Sequence, residues 1–249
     1  MSERRAPRLH IETGLAPGGV IELEPGHVHY LNTVLRLGCG APVAAFNVTE
    51  GEWLCRIAEI GKHRARLAIE HRLRRAQPEP DLWLLFAPIK RTRIDWLVEK
   101  ATELGVSALL PVWTARTQVD RLNLERLRAR AVEAAEQSER LSVPELRSPE
   151  VLDRALAGWR FDRPLLVCDE SGLGEPITEA VARLPAGPVA LLTGPEGGFD
   201  ETELDALGKL SFVTRIGLGP RVLRAETAAL AGLTILQAIA GDWRRARTR

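Results

Sequence analysis

The stretch VALLTGPEGGFDETE, residues 189–203, joins a short apolar run to the start of a helix through a turn rich in glycine. The apolar run, residues 189–193, is bounded by Gly and Pro, a pattern typical of a strand buried on both faces. Asp200 and Glu203 have the spacing of a capping box, which predicts that a helix begins there. The turn contains three glycines: Gly194, Gly197 and Gly198. Glycine lets the backbone adopt positive φ and lets a ligand approach closely, so this turn is a candidate binding site.

The composition is that of a globular protein. The chain has 249 residues, of which 45% are hydrophobic and 27% charged, enough for one large domain or two smaller ones. Its apolar runs are shorter than the roughly 18 residues of a membrane span, and the first ten residues, MSERRAPRLH, contain no apolar signal segment. We therefore expect a cytoplasmic protein with no membrane partner. The net charge of +1 does not by itself indicate a nucleic-acid binder.

The cysteines and histidines limit the chemistry available to the chain. Cys39, Cys55 and Cys168 form no CxxC pair and are odd in number, so the sequence supports neither a disulfide framework nor a cysteine zinc site. We expect buried, reduced thiols. No spacing of His and Glu indicates a metal site, and all five histidines lie in the first 75 residues. An acid or base in the C-terminal part is therefore not a local histidine.

A charged, proline-containing segment, RRAQPEP at residues 74–80, is the best candidate for a linker. It predicts two domains, residues 1–75 and residues 76–249. Upstream, apolar and polar residues alternate on both sides of a turn at residues 50–51, which predicts the strands of a small, half-exposed sheet or barrel. A short helix over residues 27–35 interrupts these strands.

Downstream, the pattern changes to strand, helix, strand: LWLLFAP, TRIDWLVEKATELG and VSALLPVW. Thr92 with Asp95 predicts the cap at the start of this helix, and Gly105 predicts its end. A second helix is predicted over residues 124–139, and the runs PLLVCDE, VALLT and FVTRIGL supply further short strands. The sequence therefore predicts an α/β architecture with a mostly parallel sheet, in which ligands usually bind at the carboxyl ends of the strands.

Three of the predicted strands end in glycine-bearing loops: DESGLGEP, GPEGGF and GLGPRVLRAET. Such loops either wrap a common ligand or simply make tight turns between strands and helices. Two nucleotide signatures are absent. GLGPRV has Val222 where a dinucleotide fingerprint needs its third glycine, and GPEGGF lacks the Lys and Ser or Thr of a phosphate-binding loop. NAD and ATP are therefore disfavoured, and the lack of a GxSxG motif argues against a hydrolase.

Five blocks of the sequence resemble, in order, the successive motifs of the RsmE-type ribosomal RNA uridine-N3 methyltransferases. The blocks are HYLNTVLRLGCG, PIKRTRIDWLVEKATELGV, AVEAAEQSERLSVPEL, LTGPEGGFDETE and IGLGPRVLRAETAAL. The match around them spans nearly the whole chain, from about Pro7 to Ile239. Two positions depart from the family pattern: Ala225 stands where Thr is frequent, and LGCGAPV lacks the acidic residue that commonly follows the second glycine.

The resemblance implies a SPOUT-class α/β domain with a deep trefoil knot in its mostly parallel sheet, and an N-terminal PUA-like β-barrel that binds RNA. It also implies S-adenosylmethionine as the methyl donor and a homodimer with active sites at the subunit interface. The implied substrate is small-subunit (16S) ribosomal RNA within the assembled subunit, so the expected process is ribosome biogenesis.

Matching the two C-terminal motifs residue by residue implies a donor site. The first loop contributes Leu192, Thr193, Gly194, Glu196 and Gly197. The second contributes Ile216, Leu218, Gly219, Leu223, Arg224 and Thr227. The side chains of Ile216, Leu218 and Leu223 are expected to flank the adenine, while main-chain amides satisfy its polar edges. For Leu223 and Thr227, the alternative is packing at the start of a helix.

Methylation of uridine at N3 needs a group that accepts the N3 proton and a group that stabilises the resulting anion. The resemblance implies that Arg224 is the stabilising cation, while Glu226 or Glu196 accepts the proton. Glu226 has an alternative structural role, in which it caps the helix or pairs with Arg224.

Cations near strand and helix ends are candidates for contact with RNA. They are Arg36, Lys90, Arg91, Arg93, Arg116 and Arg140, together with the polar Gln137. For the last turn of the second helix, contact with a partner subunit and simple exposure to solvent are the alternatives.

Two further functions compete with this one. The first keeps the fold and methylates another RNA target, either transfer RNA or a 2′-hydroxyl. The second is a non-catalytic RNA-binding or ribosome-assembly factor. The intact GPEGG and LGPRVLRAETA stretches argue against the second, because it has no need of a donor site.

Overall fold

The computed structural model describes residues 6–244, apart from the side chain of Arg91. These residues form two compact units. The first extends to Pro78 and includes Ala135–Val143; the second consists of Glu79–Ala134 and the chain from Pro144 onward. The boundary predicted from the linker lies three residues earlier, and that prediction did not include the return of Ala135–Val143 to the first unit.

The strands and helices are as follows. The strands are β1 (Arg8–His10), β2 (Val20–Glu22), β3 (Pro42–Asn47), β4 (Gly51–Ile60), β5 (Ala65–Arg74), β6 (Leu82–Phe86), β7 (Ala108–Trp113), β8 (Glu145–Leu146), β9 (Glu150–Val151), β10 (Leu165–Cys168), β11 (Glu175–Pro176), β12 (Val189–Thr193) and β13 (Val213–Gly217). The helices are α1 (Pro25–His29), α2 (Arg91–Glu103), α3 (Leu124–Gln137), α4 (Leu152–Ala157), α5 (Ile177–Ala182), α6 (Glu201–Gly208) and α7 (Ala225–Ile239), and a π-helical turn at Tyr30–Val34 continues α1.

The first unit contains a five-stranded sheet in the order β1-β3-β4-β5-β2. The predicted strands around residues 50–51 are confirmed as β3, β4 and β5. The expectation of a half-exposed sheet is wrong for β3, which is buried along its whole length. Val43 and Ala45 join the apolar core, and the guanidinium of Arg8 covers the ring of Phe46, 4.1 Å from its centroid. Both faces of this strand are therefore shielded from water.

A buried ion cluster organises the first unit. Glu52, on β4, accepts hydrogen bonds from the Nε of Arg8 at 2.6 Å and the Nε of Arg74 at 2.7 Å. Arg8 also donates to three carbonyl oxygens at or just after the end of α3, those of Ala135, Glu136 and Arg140, at 2.6–2.9 Å. The Ala135 carbonyl accepts the Arg140 amide as well, so one arginine and one main-chain bond tie residues 135–143 to the first unit.

The second unit contains an eight-stranded sheet. Its main path runs β11-β13-β10-β12-β6-β7-β8, and β9 pairs with β7. Every pairing between the described strands of this sheet is parallel, so the predicted mostly parallel sheet is confirmed. Because the strands are parallel, their carboxyl ends share one edge. None of the described helices has the length and apolarity needed to cross a membrane.

The helix α2 follows the predicted span but not the predicted cap. Its N-cap is Lys90, which makes no side-chain capping bond. The predicted cap of Thr92 with Asp95 is wrong, because the Asp95 carboxylate pairs with Arg126, which lies 31 residues further along the chain. The predicted end is confirmed, since Gly105 follows the helix with φ +84°.

The cysteines are free, but only two are buried. Burial raises the pKa of the Cys55 thiol to about 11 and that of Cys168 to about 12, which makes both poor nucleophiles at neutral pH. The expectation of burial is wrong for Cys39, which is exposed on the surface of the first unit.

The ion cluster makes the first unit sensitive to acid. Burial alone would raise the pKa of the Glu52 carboxyl, but hydrogen bonds and charge from Arg74 and Arg8 outweigh it and hold the pKa below its ordinary value of 4.5. The stabilisation is therefore fully present above pH 4.5 and is lost as the pH falls through the lowered pKa. We predict that Glu52→Gln reduces the free energy of unfolding at pH 7 by about 3 kcal/mol, because it leaves Arg8 buried without its counter-charge.

Urea unfolding monitored between pH 3 and pH 7 measures this effect. The wild type and the Glu52→Gln variant should converge in stability at the acidic end. Glu70→Gln is the matched control, because Glu70 pairs with Arg56 at 3.2 Å in a partly exposed position, and its loss should cost less than about 1 kcal/mol. Equal losses in the two variants would contradict the interpretation.

Candidate active site

Four loops meet at the carboxyl edge of the sheet in the second unit. They are residues 87–90 after β6, 169–174 after β10, 194–200 after β12 and 218–224 after β13. The strand β10 lies between β12 and β13, so the three predicted glycine-bearing loops are neighbours. The end of β12 is linked to the loop after β6, because the amide of Ala87 donates to the carbonyl of Thr193 at 3.0 Å.

A carboxylate from the neighbouring loop holds the GPEGGF turn. Oε1 of Glu170 accepts the amide N–H of Phe199 at 3.1 Å. The same oxygen lies 1.7 Å from the position that a Cβ on Gly198 would occupy, and Gly198 has φ +69°. Glycine is therefore required here for two reasons: its backbone conformation, and the space that Glu170 fills. Gly194 packs directly on the Phe199 ring, which lies 3.0 Å from the position of a Cβ.

A second support comes from the loop that follows β7. Arg116 donates from Nη1 to the carbonyl of Gly197 at 3.2 Å and pairs through Nη2 with Asp200, also at 3.2 Å. Oε1 of Glu203 accepts the amide N–H of Ala115 at 2.7 Å, and the predicted capping box of Asp200 and Glu203 is confirmed. Arg116 was predicted to contact RNA; in the structure its guanidinium holds the loop.

The two loops assigned to the donor site expose main-chain donors. Within residues 6–244, we find no protein acceptor for the amide N–H groups of Gly194, Glu196 and Gly197 in the first loop, nor for those of Gly219 and Leu223 in the second. The second loop begins beside Ile216, which is fully buried. Gly219 has φ +97° and open space around its Cα. Bare backbone beside an apolar wall suits a heterocyclic ligand.

The loop after β10 lies close against β13. A Cβ on Gly174 would be 2.5 Å from the carbonyl carbon of Ile216, so only glycine fits at this contact. Burial would raise the pKa of Asp169, but hydrogen bonds from Ser171 and Arg215 hold it below its ordinary value. Asp169 therefore acts as a charged anchor between β10 and β13, with Arg215 Nε at 2.9 Å.

Two carboxylates and two arginines surround the start of α7. Glu226, in the first turn, is 8% exposed, and its Oε2 has no hydrogen-bond partner among the described residues. Its Oε1 lies 3.5 Å from Nε of Arg93, on α2. Arg93 also pairs with Glu196, whose Oε1 lies 4.0 Å from Nη1. Arg224 is the N-cap residue and is exposed to solvent, without an ion-pair partner among residues 6–244.

The remaining predicted positions are dispersed. Lys90 is exposed beside the site and its amide donates to Glu196 Oε1 at 3.3 Å; Arg91 opens α2, and its side chain lies outside the described part. Arg36 is exposed on the first unit with φ +52°, a left-handed conformation uncommon outside glycine. In the first unit, Gln137 is exposed, whereas Arg140 is 9% exposed and donates to Ser142 Oγ at 2.8 Å.

Sequence reasoning missed two residues of this edge: Glu170 and Asp169. Glu170 and Asp169 stand in the quoted DESGLGEP loop, so a signal existed: acidic residues directly after a buried strand. Arg93 was predicted to contact RNA phosphate, and its pairing with carboxylates was not predicted. The partner of each of these residues depends on strand order, which the sequence pattern does not contain.

The comparison with known proteins agrees with this geometry. Residues 77–237 match the sequence model of a family described as the RNA methyltransferase domain. A relative from Rickettsia conorii, named ribosomal RNA small subunit methyltransferase E, is 34% identical over 232 residues, covering 91% of this chain and 93% of that protein. A relative of the same name from Bacillus subtilis is 31% identical, covering 84% of this chain and 86% of that protein.

Solved structures extend the likeness to the whole fold. A ribosomal RNA small subunit methyltransferase E from Neisseria gonorrhoeae, bound to S-adenosyl methionine, has a TM-score of 0.87 at 28% identity and covers 96% of this chain and 100% of that one. A protein from Legionella pneumophila, solved with the bound cofactor SAM, has a TM-score of 0.86 at 30% identity, with coverage of 96% and 99%. The chain belongs to the RNA methyltransferase family that includes the ribosomal RNA small subunit methyltransferases E, so the resemblance found in its motifs is confirmed.

The hold of Glu170 on the loop generates a prediction. In Gly198→Ala, the new methyl group displaces the Glu170 carboxylate and breaks its bond to the Phe199 amide. We expect hydrogen exchange of that amide to accelerate by about tenfold or more, because a hydrogen bond to a charged acceptor is lost. Gly187→Ala is the control, since Gly187 also has positive φ, +138°, but has open space around it. Equal acceleration in both variants would show that backbone strain alone loosens the loop.

Proposed function

We propose that this protein is an S-adenosylmethionine-dependent methyltransferase that methylates N3 of one uridine in small-subunit (16S) ribosomal RNA. One observation carries the proposal. Among the described residues, one oxygen of the buried Glu226 carboxylate and the guanidinium of Arg224 have no partner, and both residues lie at the end of a loop in which the Gly219 and Leu223 amides face no protein acceptor. The names of the relatives support the ribosomal RNA substrate, and the bound molecules of the two solved structures support the donor.

The described residues fit the donor. Free amides of Gly194, Glu196 and Gly197, and of Gly219 and Leu223, are available for the polar edges of an adenosine, while buried Ile216 with half-buried Leu218 and Leu223 offers an apolar wall. Leu192 and Thr193 are buried at the end of β12 and support the first loop, and Thr227 is exposed in the first turn of α7. When bound, the donor supplies an electrophilic methyl group on a sulfonium sulfur.

The chain's own residues would make uridine reactive. N3 of uridine carries a weakly acidic proton and is a poor nucleophile until that proton leaves. Glu226 Oε2 is free to accept it, and Arg224 offers a fixed positive charge to the anion that develops over O2, N3 and O4. Glu196 is the less suited base, because its Oε1 already accepts the Lys90 amide.

The finer points of the fold are part of the proposal. A SPOUT-type trefoil knot is part of the proposal because the motifs resemble that class and the chain belongs to the RNA methyltransferase family. The first unit, with its mixed five-stranded sheet, suits a PUA-like RNA-binding domain, and exposed Arg36 on it is a candidate contact. Lys90, Arg91, Arg116, Gln137 and Arg140 complete the proposed RNA-binding set, and Arg140 is only 9% exposed.

A homodimer is also proposed, because exposed apolar side chains occur in two of the loops at this edge. Leu173 and Val222 are 80% and 81% exposed. Sedimentation at working concentration tests the dimer directly, and a monomeric chain with full activity would contradict a shared active site.

The first experiment incubates the protein with methyl-labelled S-adenosylmethionine and small ribosomal subunits that lack the modification. We expect label in 3-methyluridine at a single site, identified by nuclease digestion and mass spectrometry. Naked 16S RNA in parallel tells whether the assembled subunit is needed. Label in another nucleoside would retain a methyltransferase but change its target, and absence of both label and donor binding would leave a non-catalytic RNA-binding protein.

The role assigned to Arg224 makes a second prediction. Arg224→Ala should retain the fold, because the side chain is exposed, and should lose about 100-fold in kcat, because the developing anion loses its cation. Arg154→Ala, which removes an exposed arginine from α4, is the control and should be near wild type. Circular dichroism and single-turnover methylation make the comparison. Near-normal turnover in Arg224→Ala would remove Arg224 from the mechanism.

A further inference from the structure

The buried carboxylate of Glu226 has two oxygens in different environments. Oε1 lies 3.5 Å from Nε of Arg93, which is the ion-pair partner found for this carboxylate within residues 6–244. Oε2 is buried and has no hydrogen-bond partner in the described chain. Buried polar atoms in native proteins are nearly always satisfied, so an orphaned carboxylate oxygen at a ligand-binding edge indicates a partner that arrives with the substrate.

Arg93 joins two carboxylates from different loops. Its side chain is 34% exposed and lies between Glu226 on α7 and Glu196 in the GPEGGF loop, whose Oε1 is 4.0 Å from Nη1. Glu196 is held from a second direction by the amide of Lys90, at the start of the same helix α2. The arginine is therefore placed to fix the direction in which Glu226 presents its free oxygen.

We propose that Arg93 is a positioning residue for the methyl transfer: it holds Oε1 of Glu226 so that Oε2 faces the uridine and accepts the N3 proton. This inference rests on the proposed function. In the step concerned, the N–H bond of N3 breaks, its electron pair stays on N3, and the proton bonds to Oε2. Arg93 does not touch the reacting atoms and acts through Glu226.

The alternatives for Arg93 make different demands. A contact with RNA phosphate needs a guanidinium that is free to point outward, and a donor-binding role needs a group aimed at the free amides of the loops. The two carboxylates on either side of Arg93 neutralise it, which disfavours an additional anion. Orientation of Glu226 is the role that uses the observed contacts.

Arg93→Gln tests the proposal, with Lys100→Gln as its matched control. Lys100 lies on the same helix and also pairs with two carboxylates, Glu99 and Glu103, both at 2.7 Å, but away from the site. We expect Arg93→Gln to lower kcat roughly 10- to 100-fold. This is part of the rate enhancement that a correctly oriented general base provides. The affinity for S-adenosylmethionine and KM for the RNA should stay within about twofold, as should every constant of Lys100→Gln.

A double-mutant cycle separates positioning from independent action. Glu226→Gln alone should lower kcat by about 100-fold. If Arg93 acts through Glu226, adding Arg93→Gln to that variant changes kcat by no more than about twofold. If the kcat losses of the two single variants multiply in the double variant, the proposal is overturned. It is also overturned if Arg93→Gln has a normal kcat but a raised KM for RNA or a raised dissociation constant for the donor.

A measurement that does not depend on methyl transfer tests the role of Arg93 separately from the proposed function. Carbon-13 NMR of the Glu226 side-chain carboxyl, identified by its loss in Glu226→Gln, reports on the surroundings of this carboxylate in the protein alone at pH 7. Arg93→Gln should change its chemical shift, because the cation 3.5 Å from Oε1 is gone, and Lys100→Gln should leave it in place. An unchanged chemical shift in Arg93→Gln would overturn the proposal. Failure of the wild type to form 3-methyluridine would instead overturn the proposed function.

Discussion

The parallel pairing of β10 with β12 on one side and β13 on the other determines the candidate site. Cys168 lies in register with Ile216, and Val167 with Leu192, so the three strands end at nearly the same height. The loops that follow these strands therefore leave from the same edge of the sheet and lie beside one another. The close contact of Gly174 with Ile216 exists only because the strands are aligned in this way, and a shift by one residue would put a side chain into that contact.

The loop that contains GPEGGF is held mostly by residues outside it. Glu170 accepts the Phe199 amide, Arg116 donates to the Gly197 carbonyl, and Glu203 ties Ala115 to the start of α6. Hydrogen bonds with a charged partner are the stronger kind, worth about 1.5–3 kcal/mol each, less where solvent reaches them. The glycines give the loop backbone conformational freedom, and the hydrogen bonds of these three charged side chains restrict that freedom. A loop built in this way can keep its main-chain amides free and still hold them in place.

Sequence patterns could predict what is encoded locally. The strand β12, the capping box of α6 and the end of α2 at Gly105 each depend on residues within a few positions of one another. The features that the sequence did not predict depend on residues far apart in the chain. Asp95 was predicted to cap α2 but pairs with Arg126, and the bond from Arg116 to the Gly197 carbonyl, 81 residues away along the chain, was not predicted. Charged side chains have long reach, so strand order decides their partners, and periodicity carries no information on strand order.

The motif resemblance identified Arg224 and Glu226 as chemistry-bearing, but it could not distinguish the two oxygens of Glu226. That distinction is energetic. A buried acceptor without a partner costs about 1–3 kcal/mol, and more for a charged group, and the chain keeps this cost in the first turn of a helix that is otherwise well packed through Ala229, Leu233 and Leu236. An apolar residue at position 226 would remove the cost. The carboxylate is therefore poorly explained by stability, and well explained by a proton that has to be taken from a substrate at the open end of the sheet.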